Sequence, residues 1–569
     1  MNVADYILAR LKQAGLGHVF AVPGDYASPF LDALDDDPAI ERVPNINELG
    51  SGYAADGYAR FKGIGAACVQ YGVGTMSALN CAAGSWVERV PVAIISASPS
   101  TNNRLLERQQ QILFHHSTGD VEVNAKLFAH VTVASEIVSD PDFAPAQIDR
   151  AITAMLTFRR PIYLEVLQNV WTQACADPIG SLCPVPQTSN ATYLAKAIAA
   201  TWGRILSAEQ PVLWFGVEIQ RFGLQDLAQK LVDVSGLPFT TTSLGKTVLD
   251  EAQPQFIGTY AGPASPALTR TIMGACDCPV ALGAIITDDY LDIMAARYAD
   301  MVSCNDEDTR VGIDYFAQIT LADFLAALVA RFEEDDAFPR SFEAPDVPED
   351  TDETTEKGTG HSLTYNVFYR QFSRWLKHEK LIDESVLILG ESTSLYVWGN
   401  LMGLPRDSFV AQAAWGSLGH ETGCALGVAL ASGKRPWVIA GDGGFMMICQ
   451  ELSSLARAKL PAVVFVMSNQ GYAIEQAFVD IKAFTPEGAF APFDILPDWD
   501  YLALAKAFGA KGYRVKTTDQ LATALGEIAG LTDVPALVEL VIPPKDLAPQ
   551  LARLAAPPPV LRKYHGLEE

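Results

Sequence analysis

The run Gly441-Asp442-Gly443-Gly444 directly follows an apolar stretch at 437–440. Glycines at such a place let backbone N–H groups approach a phosphate, and a helix starting there favours its negative charge. Asp442 adds a hard carboxylate oxygen. A second apolar stretch, 462–468, ends in Asn469-Gln470-Gly471. If both stretches are parallel strands, their carboxyl ends share one sheet edge. Asp442, Asn469 and a nearby carbonyl could then share one octahedral Mg²⁺ with two phosphate oxygens and water. Alone, the Gly-Asp-Gly run is an ordinary strand-to-helix turn with a surface Asp. An Asn 27 positions after the Asp, ending a matching strand, is much more specific.

Other positions carry proton chemistry. Glu48 opens a helical stretch at 50–60 after a strand near 42–46, where a carboxylate also suits the helix dipole. Two of only eight histidines, His115 and His116, stand side by side in the segment 114–119. Neighbours on a strand point oppositely, so a metal or packing role would account for only one of them. Asp25 lies in AVPGDY (21–26) and Glu475 in GYAIEQ (471–476). Histidines and carboxyls grouped together can be tuned to opposite protonation states.

The elements that must position these groups read as α/β. At 569 residues the chain is too long for one core. Strands at 18–22, 66–70, 92–96 and 162–166 alternate with helices such as 50–60 and 77–88, which predicts βαβ units over 1–180. A Pro-rich linker at 183–192 precedes a second α/β block, 193–332, with strands near 212–215, 279–283 and 301–305. Residues 333–358 hold eleven acidic and two basic residues with three prolines, and read as an exposed linker. A third block, 360–545, has strands at 386–389, 437–440, 462–468 and 536–541, and 546–569 form a tail. The expected architecture is three doubly wound parallel-sheet domains, which bind ligands at the carboxyl ends of their strands.

The formal charge of −26 argues against nucleic acid or an anionic membrane as partner. No apolar run approaches the length of a membrane span, and 3–14 reads as an amphipathic helix rather than a targeting signal. Nine dispersed cysteines fit reduced thiols, and the expected location is cytoplasmic.

Together the motifs resemble the thiamine diphosphate (ThDP)-dependent 2-oxo acid decarboxylases, the pyruvate and indolepyruvate decarboxylase family. The resemblance implies ThDP and Mg²⁺ as cofactors. It also implies conversion of a 2-oxo acid to an aldehyde and CO₂ through a cofactor ylid and enamine. By the same likeness Asp442, the Asn469 side chain and the Gly471 carbonyl are metal ligands; Ser468 stands where the family usually has the first Asn of a pair. Glu48 would hydrogen-bond the pyrimidine N1′ to generate the ylid, and Asp25, His115, His116 and Glu475 would handle protons around the substrate. Residues 415–419 (WGSLG) resemble the segment in which Leu418 bends the cofactor and the Gly416 carbonyl accepts from its 4′-amino group. Ser417, Ser392, Thr393, Gly441, Gly443, Gly444, Tyr472 and Ile474 complete the implied cofactor contacts, although the segment 391–394 is usually richer in Gly. Tyr290, Tyr396, Ile474 and Phe478 carry over to the substrate pocket. Their bulk favours pyruvate or another short 2-oxo acid, with branched-chain and aryl-pyruvate substrates left open. The family pattern puts Glu48 of one chain against the Asp442 site of another, so the expected unit is a homodimer or a dimer of dimers.

Four rival readings fit the sequence less well. Gly72-Val73-Gly74 after a strand is the start of a dinucleotide fingerprint, but Ser77 occupies the place of the third glycine. A ThDP carboligase of the acetohydroxyacid synthase type resembles the chain at Asp442, Asn469 and Glu48 but lacks the His pair. A non-catalytic protein would not need the proton-handling set. A serine hydrolase has no GxSxG here.

Overall fold

The computed structural model describes residues 1–335, 341–348 and 362–556. Three sheets follow one another along the chain. The first contains β1 (His18–Ala21), β2 (Glu41–Pro44), β3 (Gly65–Gln70), β4 (Val92–Ser98), β5 (Ala134–Val138) and β6 (Ile162–Leu167), in the order β2-β1-β3-β4-β6-β5. Every pairing in it is parallel. β3, β4 and β6 are buried along their whole length, as strands covered by helices on both faces must be.

The middle sheet contains β7 (Pro211–Phe215), β8 (Phe239–Thr242), β9 (Phe256–Tyr260), β10 (Cys278–Leu282), β11 (Val302–Cys304), β12 (Thr309–Val311) and β13 (Asp314–Phe316), ordered β13-β12-β11-β10-β7-β8-β9. The expected parallel order holds from β9 to β11 and gives way only at one edge. β12 and β13 pair antiparallel, because only residues 305–308 and 312–313 connect β11 to β12 and β12 to β13. Such short links close a hairpin and cannot make the crossover that a parallel partner requires.

The third sheet contains β14 (Ser385–Leu389), β15 (Phe409–Ala411), β16 (Arg435–Gly441), β17 (Val463–Ser468), β18 (Lys511–Val515) and β19 (Ala536–Val541), all parallel, in the order β15-β14-β16-β17-β19-β18. The chain reverses its winding between β14 and β16, which makes a crevice at their carboxyl ends. Of the expected acidic linker, Glu333 ends the helix Leu321–Glu333, 341–348 have no regular structure, and 336–340 and 349–358 lie outside the described residues. Part of the expected tail is a short helix, Pro549–Leu554, with Leu551 buried; residues 557–569 lie outside the described part.

The first and third domains share one continuous core. The helix Glu48–Lys62 lies against the helix His420–Ser432, and Gly57 permits the contact, since a Cβ there would come 2.4 Å from the Cys424 carbonyl oxygen. A buried polar network crosses the same seam. Arg60 reaches Asp56 and Glu88 at 2.6 Å each, and His420 Nε2 lies 2.8 Å from Asp56 Oδ1. Desolvation pushes the Asp56 carboxyl up, but Arg60 and His420 outweigh it and hold the group well below the usual range. Glu88 Oε1 then accepts from the Ala414 and Trp415 N–H groups at 2.9 and 3.2 Å, tying the network to the WGSLG segment.

Candidate active site

A cavity of about 240 Å³ opens at the carboxyl ends of β14, β16 and β17. β16 ends at Gly441 and the helix Asp442–Ile448 starts on the next residue. Asp442 is thereby buried at a helix start. Its Oδ1 accepts from the Gly443 N–H at 2.9 Å, and its Oδ2 from the Gln470 and Asn469 N–H groups at 2.7 and 3.2 Å. Burial nevertheless pushes the carboxyl up to about 6, so a cation would relieve it.

The Asn469 carboxamide oxygen faces only acceptors, 3.1 Å from the Gly471 carbonyl oxygen and 3.3 Å from Asp442 Oδ2. Turning the amide over would let its nitrogen donate to both. With the oxygen inward, three oxygens converge, and Nδ2 donates to Tyr365 Oη at 3.4 Å. Adjacent ligands of an octahedral ion at about 2.1 Å lie about 3 Å apart, so these oxygens are spaced to fit one hard divalent cation. No group of three or more His, Cys, Asp or Glu side chains among the described residues is placed for a metal, which leaves oxygen donors of this mixed kind. A Cβ on Gly443 would meet the Tyr472 ring at 2.2 Å. Gly443 must therefore be bare to accommodate that ring.

Ser392, Thr393, Gly416 and Leu418 line the opposite wall. Tyr472, Ile474, Glu475 and Phe478 line the near wall, at or in the helix Ala473–Asp480. Ser417 is turned away, its Oγ 2.6 Å from Tyr53 Oη and 2.9 Å from Asn80 Nδ2 of the first domain. Tyr396 and Tyr290 also stand outside the cavity wall. Tyr396 is buried and donates to Asp289 Oδ1 at 3.1 Å. The Tyr290 ring packs against Trp214 and Tyr260 in the middle domain, and its oxygen accepts from the Ser243 N–H at 3.0 Å.

Asp25, Glu48, His115 and His116 do not line this cavity. They gather instead around residues 70–74, which leave the end of β3. Gln70 Nε2 donates to Asp25 Oδ1 at 2.7 Å, and the Tyr71 hydroxyl donates to the His115 carbonyl. Gly72 has φ +65°, and a Cβ there would come 2.1 Å from the His116 carbonyl oxygen. One on Gly74 would lie 3.3 Å from the Glu48 side chain. The glycines that suggested a dinucleotide fingerprint thus make room for His116 and Glu48. His116 itself has φ +72°, a left-handed conformation costly for a non-glycine residue. Ser117 Oγ donates to the buried Glu107 and helps to hold the loop in that shape. The motif reading missed Gln70, Tyr71 and Glu107. A signal was present for Gln70 and Tyr71, which end the strand beside β1, where Asp25 follows.

Three family models match the chain: thiamine pyrophosphate enzyme, N-terminal TPP binding domain, over residues 1–118; its central domain over 198–331; and its C-terminal TPP binding domain over 392–540. An alpha-keto-acid decarboxylase of Mycobacterium leprae is 30% identical, over 98% of this chain and 95% of its own. The chain belongs to the ThDP-dependent 2-oxo acid decarboxylase family. A pyruvate decarboxylase of Aspergillus fumigatus is 29% identical over 98% of this chain and 96% of its own, and pyruvate decarboxylase isozyme 3 of Saccharomyces cerevisiae is 28% identical over 98% of each.

In this decarboxylase two carboxyls at and behind the cavity of the third domain are displaced from their ordinary values. Burial pushes Glu421 up to about 7 while its carboxylate accepts from the Gly419 N–H at 3.1 Å. Burial likewise pushes Glu391, on the cavity wall, up to about 8, with Asp289, Glu88, Asp288 and Glu421 adding to the effect. Strong shifts of this kind in one cleft are typical of a reaction site. No described helix is long and apolar enough to cross a membrane.

Proposed function

We propose that the chain releases CO₂ from a short 2-oxo acid such as pyruvate, leaving an aldehyde, with ThDP held through Mg²⁺. The observation that carries this reading is the division of polar groups into two faces. One face is a cation-shaped oxygen set beside a bare glycine turn, with Glu475 on its wall. The other is the group Asp25, Glu48, His115 and His116 arranged on residues 70–74.

In this reading Asp442, Asn469 and the Gly471 carbonyl hold Mg²⁺, and the N–H groups of 441–444 hold the diphosphate. Gly416 and Leu418 seat the rings, with Ser392, Thr393, Tyr472 and Ile474 around them, and Glu48 bonds the pyrimidine. Bound ThDP supplies the electron sink that lets the carboxyl carbon leave as CO₂. Asp25, His115, His116 and Glu475 hold the protons that the product carbon gains and its hydroxyl loses.

Glu48 does not line the cavity of its own chain, and both faces are rimmed by exposed apolar side chains: Val73, Met76 and Leu113 on one, Trp415, Phe478 and Val479 on the other. We read these rims as surfaces that a second copy covers, which makes a dimer the smallest active unit and a tetramer a dimer of dimers. Nine free cysteines suit a reducing, cytoplasmic setting.

A second reading concerns the substrate side chain. Tyr290 and Tyr396 stand outside the cavity wall, so Ile474 and Phe478 alone of the four expected pocket residues narrow it. That favours admitting branched-chain or aryl 2-oxo acids. The test is CO₂ release over pyruvate, branched-chain, phenylpyruvate and indolepyruvate substrates with ThDP and Mg²⁺ supplied. Pyruvate as the best substrate is the expected result. A best rate on an aryl substrate replaces the first reading with the second, and acetolactate as main product refutes both.

A further inference from the structure

Glu451 opens the short helix Glu451–Arg457 of the third domain, one helix beyond Asp442. It is 2% exposed, and its carboxylate crosses the seam into the first domain. There Oε2 accepts from Asn45 Nδ2 at 3.1 Å, and from Ser454 Oγ of its own helix at 2.7 Å. The backbone N–H groups of Asn47 and Ile46 lie close enough to favour its charge. Gly50 closes over the same carboxylate, since a Cβ there would come 2.2 Å from Glu451 Oε1.

These contacts bracket Glu48. β2 ends at Pro44, Asn45 and Ile46 make the turn, and Asn47 caps the helix Glu48–Lys62 by accepting from the Gly50 N–H at 2.7 Å. Glu451 thus meets residues 45, 46, 47 and 50, on both sides of the one carboxylate in that turn. Each of its polar neighbours is a donor. A carboxylate, which only accepts, suits them all, whereas an amide would set its own N–H₂ group against some of them. Satisfied polar bonds of this kind fix the turn in position and angle, where apolar packing would fix only volume.

Resting on the ThDP reading of Glu48, we infer that Glu451 is a positioning residue that sets the Glu48 carboxylate for its bond to the cofactor's pyrimidine. It does not line the Asp442 cavity, so it acts through the turn and not on bound diphosphate or metal. Its effect falls on loss of the thiazolium C2 proton, the step that Glu48 promotes, and comes before any 2-oxo acid binds.

The test follows exchange of that proton for solvent deuterium in the ThDP–Mg²⁺ holoenzyme, by acid quench and NMR, at saturating ThDP without substrate. Glu451→Gln keeps the side-chain size but loses one acceptor, and should slow exchange about tenfold. Asn45→Ala removes the donor on the first-domain side of the same bond and should slow it likewise. In both variants the ThDP dissociation constant, read by fluorescence titration, should keep its wild-type value. A wild-type exchange rate in either variant overturns the inference. Slow exchange joined to weakened ThDP binding also overturns it, because Glu451 would then support the Asp442 helix. Glu48→Gln is the reference. Exchange at the wild-type rate in Glu48→Gln overturns the ThDP reading of Glu48, whereas slow exchange in Glu48→Gln alone overturns only the role of Glu451.

Discussion

Gln70 Nε2 donates to Asp25 Oδ1 at 2.7 Å, joining the end of β3 to the turn that follows β1. Asp25 is exposed and makes a turn of 3₁₀ helix with Tyr26 and Ala27, so its carboxylate depends on this bond for direction. Gln70→Leu should lower kcat by about 10- to 100-fold, the usual cost of a misplaced proton-transfer group. ThDP affinity, read by fluorescence titration, should hold. Lost ThDP binding would show that Gln70 supports the fold and not the proton relay.

Glu48→Gln and Asp442→Ala should fail differently. The first should retain ThDP and Mg²⁺ but lose turnover by at least about 100-fold, and the second should lose cofactor retention. Near-normal turnover in Glu48→Gln, or unchanged cofactor retention in Asp442→Ala, refutes the corresponding assignment.

Mixing these two inactive variants tests the shared site. If Glu48 of one chain serves the Asp442 site of its partner, a mixed dimer rebuilds one intact site and ruins the other. Random exchange then returns about a quarter of wild-type activity. No recovery after verified subunit exchange means that each chain completes its own site.

The seam network has a stability signature. Arg60→Met leaves Asp56 and Glu88 buried without their guanidinium, which should cost about 3–5 kcal/mol in denaturant unfolding. The folded Asp56 carboxyl is held below its unfolded value, so its contribution is complete above the unfolded pKa and is lost as pH falls through the folded one. Wild-type stability should therefore decline in acid from about pH 4 downwards, and Arg60→Met should show a smaller decline.

Glu421 has the opposite sign. Its folded value is raised to about 7, so the stability linked to its proton is complete below the unfolded value near 4.5 and is lost as pH rises through about 7. The apo-form of Glu421→Gln should melt higher than wild type at alkaline pH and show no such gain in acid. A gain that does not depend on pH would point to packing instead.

Local backbone form held within one short segment was legible without coordinates. The strand, glycine turn and Asp at 437–444 follow from local apolar runs and from what bare backbone can do for a phosphate. Residues 462–471 repeat that logic, and parallel strands put both ends on one edge. The structure adds the reason that Gly443 must be bare, which is the Tyr472 ring. Elsewhere local pattern did not suffice. The short links at 305–308 and 312–313 turn the edge of the middle sheet antiparallel, and no periodicity in three-residue strands announces that.

The residue types alone thus determined an α/β order of domains and pointed to a cation and diphosphate site and a proton-handling set, because those depend on backbone reach and side-chain chemistry. Only tertiary structure decided which groups share a wall. It separated Asp25, Glu48 and the His pair from the Asp442 cavity, moved Tyr290 and Tyr396 behind that wall, and brought Glu391 into it. The physical reason is that burial and charge pairing arise from contacts between segments hundreds of residues apart, as where Asp56 meets His420.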